Sequence, residues 1–203
     1  MSNHSLVTMT PRLRKLVLTS HVTFSVGWLG AVLAYLVVSI VGLTSVDAQL
    51  VRGTYMSMQV MAWFVIVPCA IAALLSGLLQ SLTTEWGLFR HYWILAKLAL
   101  TTFGTAILLL HAPRVSEMAL HAAESALATG DYTQQRTSLV VHAAGGLTIL
   151  VAATALSIFK PWGKTALGKG RAGARTRYIV IGIGCALLLI VLVHVTGGGP
   201  RGH

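Results

Sequence analysis

Apolar side chains run through this chain in five long stretches, residues 16–43, 58–82, 91–112, 137–159 and 178–196, and charge falls almost wholly between them. A hydrocarbon core about 30 Å thick asks for roughly 20 such residues in a helix. Four of the stretches hold no charged side chain. The third holds only Lys97, near enough to one end for its stem to reach the interface. The pattern predicts an all-α fold, a polytopic membrane helix bundle of five transmembrane helices in a single membrane domain. Small residues four apart (Gly27 with Ala31, Gly30 with Ala34, Ala72 with Ser76, Gly182 with Ala186) read as seams where helices approach closely. Residues 113–136 form an outer loop in which Arg114 to Ala128 is patterned as a short amphipathic helix starting after Pro113. Val115, Met118, Ala119 and Ala122 make its apolar side. Glu117, His121 and Glu124 share the other, as a solvated face does; a divalent ion there would need a second motif to complete its sphere.

Composition agrees with that pattern, with 55% hydrophobic residues against 10% charged over 203 residues. Fifteen Lys and Arg against five Asp and Glu leave a net charge of +10. Because the excess sits in loops between apolar runs, it marks topology and not a groove for nucleic acid. Arg12, Arg14, Lys15, Arg90, Lys160, Lys164, Lys169, Arg171, Arg175 and Arg177 fall on one side; Arg52, Arg114, Arg136 and Arg201 fall on the other, together with most of the acids. Ten against four places the N-terminus in the cytoplasm and the C-terminus outside. The basic cytoplasmic loop 160–177, glycine-rich and free of acids, is suited to anionic lipid head groups. Its Gly163-Lys164-Thr165 does not complete a phosphate-binding loop, because that motif requires glycine where Ile158 stands. The first run follows a basic segment as a signal peptide does, but its apolar stretch is too long for one and is expected to remain as a helix. Cys69 and Cys185 lie inside spans and read as small buried hydrophobes.

Histidine carries the chemical interest. An imidazole in or beside a membrane span must be paired, face a polar cavity or reach the interface, so each is a functional candidate. His21 and His91 stand near the cytoplasmic ends of the first and third helices; His111, His142 and His194 stand near the outer ends of the third, fourth and fifth. At about 100° per residue a seven-residue step returns to one face, so Lys97, Gly104 and His111 form a stripe. Gly145 and Gly146 lie one turn from His142. Two imidazoles on facing antiparallel helices, each beside glycine, suit the axial ligation and flat ring of haem b, with Lys97 as a cationic partner for a buried polar group. Glycine in membrane helices also serves close packing without a cofactor. Copper competes for the outer face, where Met56, Met58 and Met61 stand with the outer histidines, since thioether and imidazole both suit Cu(I). Methionine at a helix end is also an ordinary gap-filler. The tail ending in His203 offers a further imidazole that either folds toward His194 or frays. No serine-histidine-aspartate, paired-carboxylate or HExxH arrangement is present, and no acid lies inside a predicted transmembrane helix, so neither an enzyme nor a carboxylate-driven proton transporter is favoured.

The segment from His21 to Gly30 has the form histidine, six residues, tryptophan, any residue, glycine. It resembles the opening helix of the CopD copper-resistance membrane proteins. A broader likeness, through Trp86 to Trp93, His142 to Gly146, Lys160 to Gly163 and His194 to Gly199, is to uncharacterised bacterial five-span integral membrane proteins. CopD proteins have more helices and a further glycine at the position of Ala31. The resemblance implies a multi-pass protein of the bacterial inner membrane, with copper or haem handling in distant relatives and His21 a candidate metal ligand. Three functions stand from the sequence: a small haem b redox protein ligated by His111 and His142; a copper-handling protein using His21, His111, His142, His194, Met56, Met58 and Met61; and a cofactor-free structural or partner-binding membrane subunit.

Overall fold

The computed structural model describes residues 9–83, 88–123, 132–161 and 163–165, and all the regular elements among them are helical. Helix α1 (Pro11–Thr44) starts from Thr10, whose hydroxyl accepts from the Leu13 amide, and Pro11 occupies the first turn, where its missing N–H goes unused. A link of three residues, Ser45 to Asp47, reverses the chain. The Asp47 carboxylate then caps α2 (Ala48–Met61), accepting from the Gln49 and Leu50 amides at 2.8 and 3.2 Å.

Helix α2 continues through a π-helical turn at Ala62–Ile66 into α3 (Val67–Thr83). That wide turn lies just ahead of Pro68, whose ring would collide with the carbonyl one turn back in a regular helix; the Val67 amide donates to Ala62 instead. Helix α4 covers Tyr92–Ala123 and α5 covers Thr133–Phe159. At the end of α5, Lys160 turns left-handed at φ 45° immediately before Pro161, which cannot continue the helix.

Counting α2 and α3 as one rod, four helices are long and apolar enough to cross a membrane. In each, only 22% to 33% of the most apolar window is buried within the protein, so most of its Leu, Val and Phe surface faces outward and calls for lipid. The rods run up and down in a ring. Helix α1 packs on α2, α3 and α5, and α4 packs on the same three from the opposite side. The buried residues of α1 are Trp28, Val32, Tyr35, Ser39 and Gly42, alternating steps of four and three that form one stripe toward the core. Gly42 is required there, since a Cβ would stand 2.9 Å from the Thr54 hydroxyl and 3.2 Å from the Tyr55 ring.

Three expected boundaries differ. The second span's helix begins at Ala48, not near residue 58, because Asp47 caps it and Val51, Thr54 and Tyr55 are buried in the core. His91, expected in the third span, precedes α4 and bridges to Lys164, while Thr165 donates to the carbonyls of Phe89 and Arg90. The predicted break at Pro113 is absent: α4 runs through it to Ala123. Its buried face, Leu109, Ala112, Val115, Met118, Ala119 and Ala122, continues unbroken across the proline, and that packing outweighs the local preference for a stop. The expected amphipathic segment, as far as Ala123, is thus the last third of α4, and its remainder lies outside the described residues. The run 178–196, with His194, and most of the basic loop 160–177 lie outside the described residues.

Candidate functional site

Two groups of polar side chains sit inside the bundle, one at each end. The first joins three helices. His21 of α1 places Nδ1 3.0 Å from the Ala73 carbonyl and 3.1 Å from the Ser76 hydroxyl, both on α3. A carbonyl can only accept, so Nδ1 carries the proton and Nε2 is left as an acceptor. Lys97 of α4 meets that nitrogen with its Nζ at 3.4 Å. The Ser76 hydroxyl itself donates to Ala72 at 2.6 Å. Room for the imidazole comes from Gly77, where a Cβ would stand 2.8 Å from His21 Cε1. Lys97 therefore points inward to His21 and does not lie along the interface as its position near a helix end implied. His21 thus finds its partners on α3 and α4 and not on its own helix.

The second group joins α4 and α5. The imidazoles of His111 and His142 lie one over the other, with ring centres 3.5 Å apart and planes tilted by 34°. Each is held by its own helix. His111 Nδ1 donates to the Ile107 carbonyl at 3.0 Å, and His142 Nδ1 donates to the Ser138 carbonyl at 2.6 Å, with the Ser138 hydroxyl 3.2 Å away. Both tautomers are thereby set, and both Nε2 atoms keep their lone pairs, the state in which imidazole ligates metals. The two rings border a cavity of about 280 Å³ that Gly104, Gly145 and Gly146 also line.

A porphyrin does not fit between the rings as they stand. Metal–imidazole bonds of about 2.0 Å on opposite faces of one iron would hold the ring centres roughly 6 Å apart. Gly104 meanwhile does ordinary packing work, since a Cβ there would lie 3.4 Å from Ile149 of α5, and Gly145 faces open space. Side-by-side ligation of one small ion by both Nε2 atoms at tetrahedral geometry puts the nitrogens roughly 3.3 Å and the ring centres roughly 5 Å apart, so the rings, now 3.5 Å apart, would have to part by less than a porphyrin asks. Among the described residues no three His, Cys, Asp or Glu side chains gather to hold a metal.

The methionines do not converge. Met58 is fully buried in the core, Met61 packs on that core, and Met56 is exposed. Steps of two and five residues turn a helix by about 200° and 140°, so Met56 points away from Met58 and Met61, which share one face. Neither these residues nor His21 border the His111–His142 cavity. His121 contacts the Tyr132 ring at 4.9 Å, beside an exposed Glu117, while Glu124 lies outside the described residues. Arg136, counted in the sequence only as a loop charge, ties three helices together: it donates to the Gly42 carbonyl of α1 and, at 3.0 Å, to the Tyr55 hydroxyl of α2. The available signal was its position one residue ahead of an apolar run, where a guanidinium can turn back into the bundle.

Compared with known families, with curated proteins and with solved structures, the chain matches none.

Proposed function

We propose that this chain is a multi-pass protein of the bacterial inner membrane that binds copper as Cu(I) through His111 and His142. The observation that carries the reading is the paired imidazoles, 3.5 Å apart and each with Nδ1 committed to a carbonyl of its own helix. Such a pair is preorganised in its tautomers, with both Nε2 lone pairs available, and the rings must part by about 1.5 Å to admit an ion. Two neutral donors in an apolar surround favour a monovalent ion, since the desolvation penalty grows with the square of the charge. The likeness of residues 21–30 to CopD proteins supports copper independently. Haem b is the lesser reading because it asks the rings to part further, to roughly 6 Å between centres.

In this proposal the chain crosses the bilayer five times, its N-terminus in the cytoplasm, and the basic loop 160–177 lies against anionic head groups. The distribution of Lys and Arg supports that orientation, and it places the histidine pair toward the outer leaflet. Oxidised and dithionite-reduced absorption spectra of detergent-purified protein, with elemental analysis of the same sample, test the assignment. The expected result is about one copper per chain and no Soret band, the metal falling at least tenfold in either His111→Ala or His142→Ala. A Soret band lost in those variants would replace copper by haem. Neither metal nor chromophore would leave a cofactor-free membrane subunit.

A further inference from the structure

At the opposite end of the bundle from the histidine pair, α1, α3, α4 and α5 line a half-open cavity of about 580 Å³. Lys97 and His21 border it, and so do hydroxyl groups of Ser25, Thr101 and Ser157. Trp28, Leu29 and Leu150 give it an apolar wall. His21 and Trp28, seven residues apart and on one face of α1, thus share a single cavity.

The electrostatics of this cavity are one-sided. An ammonium inside a membrane bundle requires a compensating charge or a strong set of acceptors. The described partner of Lys97 is a neutral imidazole, which accepts one of three N–H bonds and brings no negative charge. Among the described residues the acids are Asp47, in the α1–α2 link, and Glu117, near the far end of α4, and neither borders the cavity. The hydroxyls do not supply the charge either. Thr101 donates to its own helix at Lys97, and Ser157 to Ala153. The space also exceeds what a bare anion needs, since a water molecule takes about 30 Å³.

We infer that this cavity binds an amphiphilic anion, a carboxylate or phosphate head seated on Lys97 and His21 with an apolar body along Trp28 and Leu150. The site is separate from the histidine pair, and its test does not depend on any metal. The same chemistry has two sources, a lipid of the bilayer or a soluble anionic molecule.

The full chain in a neutral detergent is titrated with palmitate, with methyl palmitate and with inorganic phosphate, following tryptophan fluorescence, to which Trp28 and Trp93 in the cavity wall contribute. Palmitate is expected to saturate and to bind at least tenfold more tightly than its uncharged ester. Lys97→Gln is expected to erase that preference and Lys97→Arg to keep it. Equal binding of acid and ester by the unaltered protein, a comparison that needs no variant to fold, would overturn the proposal. So would a preference that survives Lys97→Gln. Saturation by phosphate alone at comparable affinity would overturn the apolar body and assign the site to a soluble anion.

Discussion

A glycine's value in this bundle depends on what stands opposite it, and Gly77 and Gly30 are the two extremes. A Cβ on Gly77 would press into the His21 ring at 2.8 Å, and the ring cannot retreat without releasing Ala73, Ser76 or Lys97. Gly30 has nothing within 4 Å. Gly77→Ala should therefore lower stability by about 1–3 kcal/mol, the usual range for overpacking. Gly30→Ala should be neutral or raise it by up to about 1 kcal/mol through helix propensity. Thermal unfolding in detergent compares the two directly, and equal effects would mean that His21 is not held where it is described. At this scale the sequence told which histidines matter more readily than what they touch. The His111–His142 pair was legible because both residues fall at one depth on neighbouring antiparallel helices. The Ser76, Ala73 and Gly77 surroundings of His21 were not, because they lie more than fifty residues away and no periodicity within α1 points to α3. The methionine cluster misled for the converse reason: Met56, two residues from Met58, faces away from it, and Met58 is taken up by the core.

Hydropathy located the helices well where they pass through an apolar layer and poorly where they leave it. Thirty-four residues of α1 extend roughly 50 Å, far beyond a bilayer core, and nothing in an apolar count marks where such a helix should stop. Caps did mark it at Asp47, whose carboxylate starts α2 well before the apolar run. Proline was the least dependable sign. At Pro68 the helix widens into a π turn, and at Pro113 it continues without a break. Within α4 the proline leaves the Leu109 carbonyl without its usual amide donor, while packing of Ala112, Val115 and Met118 keeps the axis in place. Pro113→Ala restores that donor in a helix that already exists. The expected outcome is a gain of about 1–3 kcal/mol in unfolding free energy with no change in helix content by circular dichroism. A loss of stability would show instead that α4 depends on the proline for its path past α2.

For the molecule as a whole, the ring of four rods leaves a parity argument open to measurement. Four described spans return the chain to the side on which it started, and His91, Lys164 and Thr165 join the ends of two loops on that side. Whatever follows residue 165 therefore starts on the same face as α1, and in the five-span proposal a crossing by residues 178–196 would carry the C-terminus to the other. Alkaline phosphatase fused at His203 should then be active in cells and a fluorescent protein at the same place dark, because each reporter works on one side only. A cysteine replacing Val46, fully exposed in the α1–α2 link, should react with an impermeant maleimide added outside, with Cys69 and Cys185 replaced by alanine. The two readouts separate two errors. If Val46→Cys labels from outside but the phosphatase is silent, the orientation holds and the fifth run does not cross. If the label enters only after the membrane is opened and the phosphatase is silent, all five cross in the opposite sense, and the histidine pair then faces the cytoplasm, where copper chemistry would have to be supplied from the reducing side.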